Sequence, residues 1–196
     1  MSKTVKIPLF PLNIVLLPNE KISLHIFEKK YKKMISNCID KNKDFGIILR
    51  GIENNHNIGC TAEIIDVVYE YDSGEYDITV VGKKRFSIVE TETKEELLLS
   101  KALILPDHKY KTRKKLLEDV KNKYVNILLN NNLTKNFEVE MNRSMSYDFT
   151  KKIILPNNIK QIFLEQETEN ERLVFLNEIF DKVLEETKYN RSKTYN

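Results

Sequence analysis

Residues able to do chemistry are few in this 196-residue chain, and they stand apart from one another. His25, His56 and His108 stand far from one another and no pair of histidines or of cysteines falls at metal-ligand spacing, so no metal site is expected. Cys38 and Cys60 fall on segments that read as helix and strand, where a thiol packs as a small apolar group. As a nucleophile, Cys38 would need an activating base that the sequence does not place. A phosphate cradle requires Gly-x4-Gly-Lys-Ser/Thr, which is absent from a chain with only five glycines, and no Gly-x-Ser-x-Gly elbow occurs. The carboxylate pairs Glu95-Glu96 and Glu185-Glu186 lie in polar surroundings and read as solvated faces. The expectation is a non-enzyme with no catalytic residue, no metal and no cofactor.

The elements that would position any site follow from composition and periodicity. With 41% hydrophobic and 31% charged residues the chain has globular proportions, and a net charge of +3 is too small to imply a polyanion partner by itself. No apolar run approaches the roughly 18 residues of a spanning helix, and no signal-type stretch follows Lys3 and Lys6, so no membrane role and a cytoplasmic location are expected. Up to about residue 107 the pattern has period two or consists of short apolar runs, and from about 112 it has period 3.6. Strands are expected at 14–17, 22–27, 45–49, 62–71, 76–81, 85–90 and 98–105, with Pro8 and Pro11 marking an edge or bulged first strand. One helix interrupts them after Glu28, its inner face formed by Tyr31, Met34, Ile35 and Cys38. Asp72-Ser73-Gly74 is a turn joining two strands into a hairpin.

The second half reads as four helices. Leu116, Val120, Tyr124, Ile127 and Leu128 mark the first, with Thr112 as its cap, and Phe137, Met141, Met145 and Phe149 mark a second, capped by Asn136. Ile159, Ile162 and Phe163 mark a short third helix after Pro156. Thr168-Glu-Asn-Glu171 is a capping box opening the fourth, with Leu173, Leu176, Phe180, Val183 and Leu184 turned inward. The expected organisation is a β-barrel subdomain over 1–110, a helical subdomain over 111–187 and a flexible tail over 188–196.

The block Ile7-Pro-Leu-Phe-Pro-Leu-Asn-Ile-Val-Leu-Leu-Pro18, followed by Leu24-His-Ile-Phe-Glu28 and Tyr31, resembles the opening of the Lon protease N-terminal, substrate-binding domain. Ile58-Gly-Cys-Thr-Ala-Glu-Ile-Ile65 is similar to that family's Gly-Thr-x-Ala strand, and Gly82 with Arg85-Phe86 to its Gly-x-x-Arg-Phe turn. Leu155-Pro156 and Asn170-Glu-Arg-Leu173 extend the likeness to about residue 186. Lys30, where an arginine is common, and Cys60, where a small apolar residue is usual, are mild departures. The resemblance implies an α+β fold, a PUA-like antiparallel β pseudo-barrel with one inserted helix followed by a C-terminal four-helix bundle. It also implies a non-catalytic recognition module without the ATPase and Ser-Lys peptidase modules of full Lon proteases. Such a module would bind unfolded or specific protein segments, or a separate protease or chaperone.

Most motif residues are better explained as fold determinants than as a site. Pro8, Pro11 and Pro18 fix φ, while Gly59 and Gly82 permit positions that a side chain would obstruct. Glu28, in the first helical turn, is expected to pair with Arg85 and tie the helix to the barrel, and His25 is expected to be a packed strand histidine. A receptor for polypeptide needs exposed aromatic residues with a polar rim, or an open strand edge, and the candidates are Phe10, Leu12, Tyr69, Tyr71 and Tyr76. The alternative is RNA binding by the basic segment 108–115, through Lys109, Lys111, Arg113, Lys114 and Lys115, extended by Lys83, Lys84 and Arg85. Against it stand Glu118 and Asp119, which follow at once.

Overall fold

The computed structural model describes residues 4–51, 57–106, 112–134 and 136–194, with 188–194 described as helix backbone alone. Six strands and five helices make up the described residues: β1 Thr4–Leu12, β2 Lys21–Ile26, α1 Lys29–Lys41, β3 Phe45–Leu49, β4 Ile58–Glu70, β5 Tyr76–Lys94, β6 Leu97–Ile104, α2 Lys114–Asn130, α3 Phe137–Met141, α4 Asn157–Glu165 and α5 Glu169–Thr194. They sort into two compact units, one of residues 1–106 with 156–165, the other of residues 107–155 with 166–196. The short helix α4 therefore belongs with the strands and α1, and only α2, α3 and α5 fall in the second unit. α5 continues as helix to Thr194, past residue 187, where the polar composition predicts a frayed tail.

In the strand unit the order is β2-β5-β4-β3-β1-β6, and a further pairing of β5 with β6 closes five strands into a ring with β2 outside it. β5 can reach both sides because it is one 19-residue strand, not two. Its middle is Gly82-Lys83-Lys84, a polar interruption that hides the continuity from a periodicity reading. The ring is not wholly antiparallel as expected: β1 and β3 run parallel, with Leu9 opposite Gly46. Nor is β1 an edge strand. β6 pairs with its first half, Thr4 to Pro8, and β3 with its second, Leu9 to Leu12, so each half has one unpaired side where a proline's missing donor does little harm.

The run Ile14–Leu17 is not a strand, although Val15, Leu16 and Leu17 are buried. Its backbone is satisfied by side chains: Val15 N donates to Asn157 Oδ1 at 3.2 Å and Leu17 N to Glu20 Oε2 at 2.9 Å. The loop is clamped to β5 through Gly82, whose N donates to Glu20 O at 2.9 Å while Asn19 N donates to Gly82 O at 2.8 Å. A Cβ at Gly82 would lie 2.2 Å from Leu17 O, so no other residue fits there. One core joins the buried face of α1 (Tyr31, Met34, Ile35, Cys38) to Phe10, Phe45, Ile78 and Val80 of the sheet. Burying each such side chain contributes roughly 1.5–3 kcal/mol.

In the helical unit, α2 buries Val120, Tyr124, Val125, Ile127 and Leu128, and α5 buries Leu173, Leu176 and Phe180. Residues 137–149 are not one helix, as their four-residue spacing predicts, but the short α3 and a 3-10 turn at Ser146–Thr150. The break follows from a buried carboxylate: Glu169 accepts Ser146 N at 2.6 Å and Ser146 Oγ at 2.8 Å, which pulls that peptide away from a helical partner. Phe137 and Met145 consequently face solvent while Phe149 is buried. Asn136 does cap α3, and Thr168 with Glu171 forms the reciprocal capping box of α5.

Candidate functional site

The five aromatic and apolar candidates separate by strand parity. Phe10 points into the core, its ring 4.1 Å from that of Tyr31, Leu12 packs half-buried against the same core, and Tyr76 is buried with its hydroxyl donating to Glu70 Oε1 at 3.1 Å. These three build the fold. Tyr69 and Tyr71 face outward, 57% and 37% exposed, with ring centroids 4.6 Å apart and edge to face.

Two residues outside the original candidates complete this surface. β2 alternates strictly, with Ile22, Leu24 and Ile26 inward and Lys21, Ser23 and His25 outward, and Phe27 follows in the same outward phase at 62% exposed. His25 is thus not a packed strand histidine. Its ring stacks on Phe27 with centroids 5.9 Å apart and meets the Tyr71 ring edge-on, also at 5.9 Å. The period-two pattern of residues 21–27 carried this signal, because the buried residues are the even ones.

The register sets the arrangement. Asp77 lies opposite His25 on one side and Tyr69 on the other, so the three side chains form one row across β2, β5 and β4 on the outer face. Asp77 is the keystone: His25 Nδ1 lies 2.7 Å from Oδ1, and the Tyr71 hydroxyl donates to Oδ2 at 2.7 Å. The Tyr71 and His25 hydrogen bonds hold the Asp77 carboxyl below the usual range, and donating to that carboxylate pushes the Tyr71 phenol up. Glu75 Oε2 stands 3.6 Å from the other ring nitrogen of His25. Register shifts in β4 between Ile64 and Asp66 and between Val67 and Tyr69 leave Ile65 and Val68 exposed and twist this end of the hairpin. Lys32 of α1 braces the turn by donating to Ser73 O at 2.7 Å.

β2 pairs with β5 alone among the described residues, so its other edge carries peptide groups without strand partners. Exposed rings beside such an edge can hold an extended chain by stacking and by backbone hydrogen bonds.

The remaining candidates are not brought to this face. The Glu28 carboxylate lies 3.9 Å from Lys30 Nζ, whereas Arg85 is buried and its Nη1 donates to Leu164 O at 3.0 Å, so these two are not partners. Buried in β5, Arg85 ties that strand to α4. Of the basic segment, Lys109 and Lys111, with His108, lie outside the described residues, as does His56. Arg113 occupies the N-cap position of α2, in place of the expected Thr112, with its N donating to Asn170 Oδ1 at 3.0 Å, and Lys114 and Lys115 are exposed in the first turn. Lys83 is paired with Glu63 at 2.7 Å. Cys38 and Cys60 are buried thiols, and burial pushes the Cys38 thiol up to about 11. No helix among the described residues is long and apolar enough to cross a membrane.

Comparison with known proteins gives a consistent result. The family model of the ATP-dependent protease La (LON) substrate-binding domain matches residues 6–182. The Lon protease of Cytophaga hutchinsonii is 24% identical over 195 residues, covering 90% of this chain and 24% of its own length. Protein cereblon of Xenopus tropicalis is 26% identical over 108 residues, covering 52% of this chain and 24% of its own. The chain thus spans about a quarter of the length of these curated relatives. Among solved structures, the N-terminal domain of Mycobacterium avium complex Lon protease superposes with a TM-score of 0.75 at 16% identity, covering 90% of this chain and 98% of that one. The Lon N-terminal domain protein of Xanthomonas campestris superposes at 0.67 with 21% identity, covering 88% and 96%.

Proposed function

Since the chain belongs to the LON substrate-binding domain family, we propose that it is a non-catalytic polypeptide-binding or adaptor module that captures unfolded or specific protein segments in the cytoplasm. Captured segments would pass to a separate protease or chaperone. The observation that carries this reading is the outward cluster of Phe27, His25, Tyr71 and Tyr69 beside the one-sided strand β2. Large rings left in solvent cost free energy that burial by a partner recovers, and a free strand edge aligns an extended chain across them. The PUA-like description of the barrel belongs to the same reading, and the closed strand ring supports it.

The test is fluorescence anisotropy with labelled fragments of a permanently unfolded protein, comparing the native chain with Tyr69→Ala/Tyr71→Ala. Both side chains are exposed, so folding should survive and be verifiable by circular dichroism. Affinity should fall by about tenfold or more, the size of effect that removing central interface aromatics produces. Unchanged affinity would reject the site. Binding of RNA instead, lost in Lys114→Glu/Lys115→Glu and steeply weakened by salt, would reject the function.

A further inference from the structure

The hairpin that carries the aromatic cluster is also the most one-sided stretch of charge in the chain. Between Arg50 and Lys83 there is no lysine or arginine, although the whole chain has a net charge of +3. The hairpin alone carries Glu63, Asp66, Glu70, Asp72, Glu75 and Asp77. Glu63 is neutralised by Lys83 at 2.7 Å. Among the described residues the other five have no lysine or arginine partner; Asp77 is held by His25 and Tyr71, and Glu70 by Tyr76. Lys32, bonded to Ser73 O, is the one described cation that hydrogen-bonds to the turn.

Carboxylates around exposed aromatic faces make a surface suited to cations. The ring quadrupole attracts a guanidinium or ammonium over the face, and nearby negative charge adds a Coulomb attraction reaching about 10 Å at moderate salt. The same field repels an acidic segment, so it acts as a selector even where it adds little affinity. We propose that this surface selects basic polypeptide: extended segments in which arginine or lysine alternates with apolar residues, the cation seated against the Tyr69, Tyr71 and His25 rings within reach of Glu75 and Asp77. The apolar residues would lie beside Ile22 and Leu24, which β2 leaves only half-buried at its open edge. This inference rests on the polypeptide-binding reading and names the class of segment that reading leaves open.

Short labelled peptides sharing one apolar skeleton, with arginine, glutamine or glutamate at the alternate positions, provide the test. The arginine peptide should bind about tenfold more tightly than the glutamine peptide, and the glutamate peptide more weakly than either. In Asp66→Asn/Asp72→Asn/Glu75→Gln, which leaves the Asp77 hydrogen bonds in place, the three affinities should converge to within about twofold. Equal binding of the arginine and glutamate peptides by the native chain overturns the charge selection while leaving polypeptide binding intact, as does a preference that survives the triple substitution. Failure of all three peptides to bind overturns both.

Discussion

Single residues in this protein are fixed by what lies opposite them, and that decides which parts were legible. Parity along β2 and β5 was visible in the sequence, so Tyr76 inside and His25 outside could have been assigned from alternation alone. The Asp77 contacts to His25 and Tyr71 could not, because they depend on cross-strand register set by distant residues. The same holds for Glu140 in the helical unit, which is buried with Arg143 Nε and Lys152 Nζ each 2.6 Å from its oxygens. Burial alone would raise its pKa, but those hydrogen bonds outweigh it and hold the carboxyl down at about 2. A folded-state pKa below the unfolded value of 4.5 means stabilisation that is complete above about pH 4.5 and drains away as the pH falls toward 2. Glu140→Gln should therefore cost on the order of 2 kcal/mol at neutral pH and flatten the acid limb of stability. Urea unfolding of both proteins at neutral and acid pH checks this; parallel pH dependences would refute the assignment.

Elements were legible where one local signal sufficed. The amphipathic α1, the hairpin turn at Asp72-Ser73-Gly74 and the capping box of α5 all stand where the residues place them. Elements were misread where a long-range partner overrides the local pattern, as Asn157 does at Val15 and as Glu169 does at Ser146. The capping box is the cleanest element to test: Thr168→Ala removes the hydroxyl that accepts Glu171 N at 3.2 Å and should cost about 1 kcal/mol. Thr168→Ser should restore most of it. Thermal unfolding of the three proteins decides the matter, since equal midpoints for alanine and serine would assign the loss to packing.

For the whole molecule, the change of period near residue 110 marks where strand patterns give way to helical ones, but not how the chain divides into its two compact units. Periodicity reports that α4 has an apolar face; it cannot report that Gln161, Phe163 and Leu164 of that face are buried with the strand unit. Gln161 donates to Ile58 O at 3.1 Å, Asn157 to Asn13 O at 2.7 Å, and Arg85 depends on Leu164 O. A chain ending at residue 110 should accordingly lose cooperative unfolding, with a shallow denaturant profile and exposed apolar surface detected by dye binding. A sharp two-state transition in that fragment would show that α4 is dispensable. The chain that enters the helical unit must come back for α4 and then leave again, so the barrel's last piece is made long after its strands. During translation the strand unit stays incomplete until residue 165 has cleared the ribosome, and over that interval the nascent chain leaves uncovered the apolar surface that α4 completes.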